Sequence, residues 1–117
     1  VECRLYAENP AKMFLPSPGK LTTFQLHPPV DGVRIDTGVR EGDAITAYYD
    51  PMVAKLICFG ATREQALERM AGVLRGSRVE GIAHNLDFLH RVLTHEAFRR
   101  GEVFTGFIEA YKAELLG

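Results

Sequence analysis

An arginine in the middle of the first predicted strand is the strongest candidate for chemistry in this sequence. Residues 1–8 alternate between small or apolar side chains and polar ones, and this period of two predicts a half-buried strand. Arg4 lies on the polar face between Glu2 and Tyr6. Its guanidinium is a fixed fork of N–H donors that stays charged, so it could hold a carboxylate, bicarbonate or a developing oxyanion. The alternative is a solvated arginine paired with Glu2 or Glu8.

A lysine within an apolar run is the second candidate. Residues 52–59, MVAKLICF, are apolar except for Lys55, which predicts a strand with both faces buried. A buried ammonium group must find a carboxylate or lose its charge, and Asp50 and Glu8 are the expected partners. The alternatives are a core ion pair and a lysine whose stem is buried while its ammonium reaches water. Asp50 also fits a turn, because Pro51 follows it.

Composition and motif searches exclude several classes of function. The 14 basic and 15 acidic residues give a net charge of -1, which argues against nucleic-acid binding. The apolar runs are shorter than the ~18 residues that a membrane-spanning helix needs. The histidines and cysteines lack metal-ligand spacing, and neither GxGxxG nor GxSxG is present. Cys3 and Cys58 are expected to be reduced, buried thiols of a cytoplasmic protein, with a disulfide as the alternative.

The elements that would position these residues indicate an α+β domain. Its small antiparallel sheet lies in the N-terminal half, and three or so helices follow in the C-terminal half. The predicted strands cover 1–8, 20–26, 33–37 and 52–59, and an extended link covers 78–81. Helices are predicted to begin after Thr62, Asn85 and Thr105, and Thr94 is expected to cap a short turn. The first helix is expected to end at Gly76.

Several motifs in order resemble those of biotin carboxylases. Residues 2–10 (ECRLYAENP) and 14–19 (FLPSPG) resemble the ECRxxAEDP and FLPSPG motifs of that family. Residues 32–34 (GVR) and 49–56 (YDPMVAKL) resemble the segment that follows. Residues 81–85 resemble GxxTN, with His84 where threonine is common, and 105–108 resemble TxFI. The order and spacing agree over nearly all of the chain. The resemblance is to the C-terminal domain, in biotin-containing subunits of propionyl-CoA, methylcrotonyl-CoA or acetyl-CoA carboxylases.

The resemblance implies an activity and a role for five residues. Biotin carboxylases are ATP-grasp ligases that use ATP, bicarbonate and Mg²⁺ or Mn²⁺ to carboxylate biotin. The implied role of Arg4 is to hold bicarbonate and stabilise the oxygen of deprotonated biotin, and Phe107 would lie near the adenine of ATP. Asp50 and Lys55 would be supporting or structural. Arg34 matches a dimer contact, although Asp31 occupies a position where that dimer often has an aromatic residue.

The resemblance also implies that the active site extends beyond these residues. The groups that hold ATP and metal lie upstream in the family, and the biotinyl lysine lies downstream. We therefore expect residues 1–117, which start at Val1 rather than Met, to be one domain of a larger chain. By itself it should hold no metal or cofactor and be inactive. Its expected partners are the upstream ATP-grasp domains, a biotin carrier domain and a carboxyltransferase subunit, which chooses the acyl-CoA. The alternative is a non-catalytic docking domain for a carboxylase subunit or carrier domain.

Overall fold

The chain folds into small antiparallel sheets followed by helices, as a computed structural model that describes residues 1–27, 30–46 and 51–116 shows. The predicted α+β class is confirmed. The strands are β1 (Glu2–Tyr6), β2 (Glu8–Asn9), β3 (Leu15–Pro16), β4 (Gly19–Lys20), β5 (Thr23–Gln25), β6 (Val33–Thr37), β7 (Ala44–Ile45), β8 (Met52–Cys58) and β9 (Arg78–Glu80). The helices are α1 (Arg63–Arg75), α2 (Leu86–Thr94), α3 (Glu96–Arg99), α4 (Phe107–Ala110) and α5 (Lys112–Leu116), with a 3₁₀ turn at Pro10–Lys12.

A three-stranded antiparallel sheet carries three of the candidate residues, Arg4, Arg34 and Lys55. Its order is β1-β8-β6, so the apolar strand β8 is central and β1 lies at an edge. Within the described residues the other strands form the two-stranded pairs β2–β3, β4–β7 and β5–β9. The segment predicted as an extended link is strand β9, because β5, which lies more than 50 residues earlier in the chain, pairs with it through backbone hydrogen bonds.

The main core lies between one face of this sheet and helix α1. Leu5, Leu56, Cys58 and Met70 are fully buried there, and the Cys58 Sγ lies 3.8 Å from the Met70 Sδ. Cys3 and Cys58 are free, buried thiols, as the sequence predicted. Burial raises the pKa of the Cys3 thiol to about 12, with a smaller contribution from Cys58, so this thiol stays protonated.

The opposite face of β8 is open, which corrects the prediction that both faces are buried. Ala54, Leu56 and Cys58 are buried on one face, whereas Lys55 and Ile57 on the other face are only half-buried. Helix α1 packs on the inner side, and the described residues do not bury the outer one. An apolar run does not reveal this difference, because isoleucine and methionine suit an open face and a covered one equally.

Helix α1 begins as predicted. The Thr62 hydroxyl accepts a hydrogen bond from the Gln65 N–H at 3.1 Å, and the Gln65 side chain accepts one from the Ala61 N–H at 2.6 Å. The first bond satisfies a backbone donor that the first turn of a helix leaves unpaired, and the second ties the residue before the cap to the helix. The helix ends at Gly76, also as predicted.

The later helix starts differ from the predictions. Asn85 occupies the cap position of α2 without a side-chain capping bond, and the His84 Nδ1 instead accepts from the Leu86 N–H at 3.4 Å. Thr94 lies inside α2, where its hydroxyl bonds back to His90, so His95 caps α3. The last predicted helix is divided into α4 and α5 and follows Gly106, not a capping Thr105. At Asn85 a tertiary contact with β1 takes the carboxamide, whereas at Thr94 a local bond to His90 takes the hydroxyl.

Candidate functional site

The outer face of the three-stranded sheet brings together charged residues from all three strands. Antiparallel pairing places Lys55 of β8 opposite Arg4 of β1 on one side and opposite Asp36 of β6 on the other. Residues opposite each other in a sheet point to the same face. The next row along the strands is Glu2, Ile57 and Arg34 in the same way. We call these six residues, together with Tyr6 of β1, the open face.

Arg4 projects into solvent from this face and is fixed at its base. Its Nε donates to a Glu2 carboxylate oxygen at 2.9 Å, and the side chain remains 54% exposed. Hydrogen bonds to the Glu2 carboxylate and then to the Tyr6 side chain raise the pKa of the guanidinium further above its ordinary value. Arg4 is therefore a permanent cation that an outside anion can approach.

Lys55 makes the open face a net cationic surface. The face contains the cations Arg4, Lys55 and Arg34 and the anions Glu2 and Asp36. Arg34 is bound to Asp36 and Arg4 to Glu2, whereas Lys55 forms no ion pair with any carboxylate that the structure describes. Like charges placed directly opposite each other in a sheet repel, so the Arg4–Lys55 pair is a natural place for an anion.

The partners expected for Lys55 are Glu8 and Asp50. Glu8 does not pair with it, and burial raises the pKa of the Glu8 carboxyl instead. The ammonium needs no core partner because its strand face is open. Asp50 lies outside the described residues, so its proposed contact with Lys55 stays a prediction.

Arg34 lies on the opposite edge of the same face. Its guanidinium bonds to Asp36 through two contacts of 3.0 and 3.1 Å, and its side chain is 66% exposed. Because Asp36 binds only one side of the guanidinium, the N–H groups on the other side could contact another protein subunit. Its role as a contact between subunits stays a prediction.

Phe107, predicted to lie near adenine, packs inside the second core cluster. Its side chain is only 4% exposed, and that cluster also contains Phe88, Ala97 and Leu115. The rings of His95, Phe98, Phe104 and Tyr111 surround it. The neighbouring Ile108 is 39% exposed and lines an apolar groove with Met13 and Phe14. Any contact of Phe107 with a nucleotide would thus involve the edge of a packed ring, and it stays a prediction.

One buried polar residue near Arg4 was missed as a functional candidate. Asn85 is 4% exposed, and its carboxamide accepts from the Tyr6 N–H at 2.7 Å and donates to the Arg4 C=O at 3.1 Å. The sequence pattern predicted only a helix cap at this position. The two partners of Asn85 lie 79 and 81 residues away, so the residues around Asn85 do not indicate these bonds. Asn85 does fall in one of the motifs that carry the family resemblance.

The described residues show neither a metal-binding cluster nor a membrane-spanning helix. No three His, Cys, Asp or Glu side chains in the described ranges cluster closely enough to hold a metal ion. Likewise, none of the helices in the described part of the chain is long and apolar enough to span a membrane.

The known proteins with similar sequences include the alpha subunits of two acyl-CoA carboxylases. The chain is 44% identical over 115 residues to the methylcrotonoyl-CoA carboxylase subunit alpha, mitochondrial, of Dictyostelium discoideum. It is 46% identical over 111 residues to the propionyl-CoA carboxylase alpha chain, mitochondrial, of Homo sapiens. These alignments cover 98% and 92% of this chain but only 16% and 15% of the relatives. The chain therefore spans about one sixth of the length of these relatives.

Solved structures with the same fold are biotin-dependent carboxylases. The biotin carboxylase domain of Hydrogenobacter thermophilus 2-oxoglutarate carboxylase, a dimer in complex with MgADP, ADP and bicarbonate, superposes with a TM-score of 0.93 at 32% identity. The complete pyruvate carboxylase of Rhizobium etli gives a TM-score of 0.90 at 33% identity. Both matches cover 97% of this chain, and they cover 25% and 11% of the other chains.

A family model assigns the chain directly. It matches residues 2–110, a range that contains Arg4, the whole three-stranded sheet and the first four helices. The motifs that suggested the resemblance all lie within it. This chain belongs to the biotin carboxylase C-terminal domain family.

Proposed function

We propose that residues 1–117 form one domain of a larger chain, in which they complete the active site of an ATP-dependent biotin carboxylase. That enzyme is a ligase that carboxylates biotin within an acyl-CoA carboxylase. The open face would line the active site against the ATP-grasp domains of the same chain. The observation that carries the proposal is the exposed Arg4 guanidinium, set opposite Lys55 on a face that the described residues do not bury.

The charges on the open face support an anion-binding role. Beyond its contacts with Glu2 and Tyr6, the five-donor guanidinium of Arg4 keeps N–H groups that could donate to bicarbonate and to the ureido oxygen of biotin as it gains negative charge. The adjacent Lys55 adds positive potential without competing for the same hydrogen bonds. Because Glu2 and Tyr6 fix the base of the guanidinium, little reorganisation is needed when charge develops.

The groups that react with ATP are assigned to other domains. ATP supplies the free energy for carboxylation in biotin carboxylases, and Mg²⁺ or Mn²⁺ accompanies it. The described residues of this chain do not fit a metal ion, since no three suitable side chains converge. This domain would contribute Arg4 to the biotin and bicarbonate side, and the edge of Phe107 with Ile108 to the adenine side. The presence of MgADP and bicarbonate in the 2-oxoglutarate carboxylase structure supports the use of a nucleotide, Mg²⁺ and bicarbonate in the complete enzyme.

Partners and compartment follow from the same proposal. A biotin carrier domain would deliver biotin to the open face, and a carboxyltransferase subunit would choose the acyl-CoA. The methylcrotonoyl-CoA and propionyl-CoA carboxylase relatives support an acyl-CoA substrate. The buried free thiols support a reducing compartment, for which we propose the cytoplasm, although the named relatives are mitochondrial.

The deciding experiment compares Arg4→Ala with a matched surface arginine. Arg78 on β9 is bound to Glu80 two residues away, as Arg4 is bound to Glu2, but it lies outside the open face. In the domain joined to its ATP-grasp part, we would measure bicarbonate-dependent ATP cleavage with free biotin. Arg4→Ala should lower the rate by about 100-fold or more, the scale for losing one oxyanion donor. Arg78→Ala should leave it unchanged.

An unchanged rate in Arg4→Ala would refute the catalytic proposal. If that variant instead lost assembly with other carboxylase subunits while the free component kept normal turnover, the domain would be a docking module. Size-exclusion chromatography of the same preparations separates these two outcomes.

A further inference from the structure

The carboxamide of Asn85 completes the edge of the strand that carries Arg4. Successive residues of a strand direct their N–H and C=O groups to opposite sides. The Ala7 N–H bonds to Pro51 on the side of β8, so Arg4 and Tyr6 direct their backbone groups to the free edge. Asn85 meets them there, accepting from the Tyr6 N–H and donating to the Arg4 C=O. One side chain thus replaces a neighbouring strand at a single position.

The pairing of β1 with β8 is irregular at this same point. Leu5 lies opposite Ala54, but Tyr6 lies opposite Met52, so Val53 is an extra residue with no partner on β1, and the register shifts between Leu5 and Tyr6. The regular β8 ladder therefore ends at Leu5, the residue after Arg4, and the next bond on that side runs from the Ala7 N–H to the Pro51 C=O at 2.8 Å. The extra residue is on β8 and increases the local twist of the pair, so a contact on the free edge of β1 can fix the backbone of Arg4 and Tyr6 beside it.

Asn85 also ties this edge to the helices. Its backbone C=O accepts from the Leu89 N–H at 2.9 Å, which is the first bond of α2. The side chain is buried, so removing the carboxamide would leave the Tyr6 N–H and the Arg4 C=O without their partner at a partly buried edge. Asn85 therefore connects the start of helix α2 to the backbone of Arg4.

We propose that Asn85 is a positioning residue for Arg4: it fixes the backbone on both sides of the register shift and so sets the direction of the guanidinium. The activity part of this inference rests on the proposed function, whereas the structural part does not. Small displacements of a catalytic group can lower rates by about 100-fold, so a purely backbone contact can have a catalytic effect.

The test uses Asn85→Ala, with Ser77→Ala as the matched control. Ser77 makes the same pair of bonds elsewhere, accepting from the His27 N–H at 3.0 Å and donating to the Val73 C=O at 2.8 Å. In the biotin carboxylase chain that contains this domain, hydrogen exchange by mass spectrometry follows the peptide covering β1. Asn85→Ala should speed its exchange by about tenfold, and Ser77→Ala should leave it unchanged.

The rate measurement uses a double-mutant cycle. Asn85→Ala should lower bicarbonate-dependent ATP cleavage with free biotin by about tenfold or more, and Ser77→Ala should not. The Arg4→Ala/Asn85→Ala double variant should be no slower than Arg4→Ala alone, because Asn85 acts through Arg4. Should Asn85→Ala not fold, Asn85→Asp keeps the acceptor for Tyr6 and removes the donor to Arg4, and the same results are expected.

Each outcome decides the proposal. Unchanged exchange in β1, or additive losses of rate in the double variant, would overturn the positioning role of Asn85. If exchange rises while Arg4→Ala itself has no effect on rate, the proposed function fails and the structural assignment of Asn85 stands. If Ser77→Ala and Asn85→Ala speed exchange in β1 equally, the positioning role is also overturned. The faster exchange would then reflect a general loss of stability and not the loss of the Asn85 contact.

Discussion

Three arginines of this chain share the same local chemistry and differ only in where they lie. Arg4, Arg34 and Arg78 each sit on a strand and pair with a carboxylate two residues away. An exposed pair of this kind contributes at most ~1 kcal/mol to stability, so pairing says little about function. Position separates them, because only Arg4 lies opposite a second cation on the open face.

His84 provides a test of electrostatics at the scale of one residue. Its Nε2 donates to the Val79 C=O at 3.0 Å, which leaves Nδ1 unprotonated to accept from the Leu86 N–H. Burial lowers the pKa of His84 below 6.5, and the Val79 bond and Asp87 oppose this only partly. The unfolded chain therefore takes up this proton at a higher pH than the folded chain. The free energy of unfolding should fall as the pH drops through about 6.5.

We expect His84→Thr to reduce this pH dependence. Threonine is the residue common at this place in the resembling motif, and its hydroxyl could accept from the Leu86 N–H without titrating. Thermal unfolding of the 117-residue chain near pH 7.5 and near pH 5.5 checks this. The midpoint of the wild-type chain should drop further between the two conditions than that of the variant. Equal drops would contradict the role given to His84.

The N-terminal cap of α1 is the clearest test at the scale of an element. Thr62→Ala removes the acceptor of the Gln65 N–H and should lower the free energy of unfolding by about 1 kcal/mol. For a chain of this length that corresponds to roughly 4 °C in the melting midpoint. Thr94→Ala is the control, since its hydroxyl only bonds back to His90 and its loss should cost less than about 0.5 kcal/mol. Equal losses in the two variants would mean that the cap is not what stabilises α1.

Local sequence patterns predicted where the strands and helices lie better than which of them pack or pair together. The alternation around Arg4 placed its side chain on a polar face, and the bounds of β6 and the cap of α1 followed from nearby residues. The pairing of β5 with β9, the open outer face of β8 and the bond from Asn85 to β1 depend on contacts between distant segments. Nothing in the neighbourhood of Lys55 indicates that Arg4 lies opposite it, because register is fixed by the packing of the whole sheet.

At the scale of the molecule, the described residues form a flat body with unpaired surfaces. Its extents are 38 × 34 × 19 Å, and its radius of gyration of 14.3 Å exceeds the ~13.4 Å typical of this length. Met13 is 88% exposed and borders a groove with Phe14 and Ile108. An exposed apolar groove and a charged open face on one thin body are what a domain inside a larger enzyme would present.

The last prediction concerns the activity of these residues without the rest of an enzyme. Phosphoryl transfer needs several cationic groups placed around the phosphates, and the sequence has no glycine-rich phosphate motif. The described residues offer no cluster of three metal ligands, and Arg4 faces solvent. We therefore expect the 117-residue chain to show no bicarbonate-dependent ATP cleavage above a buffer blank. The same assay on the chain joined to its ATP-grasp part should show turnover. Detectable cleavage by the short chain, abolished by Arg4→Ala, would mean that the open face is itself a complete site.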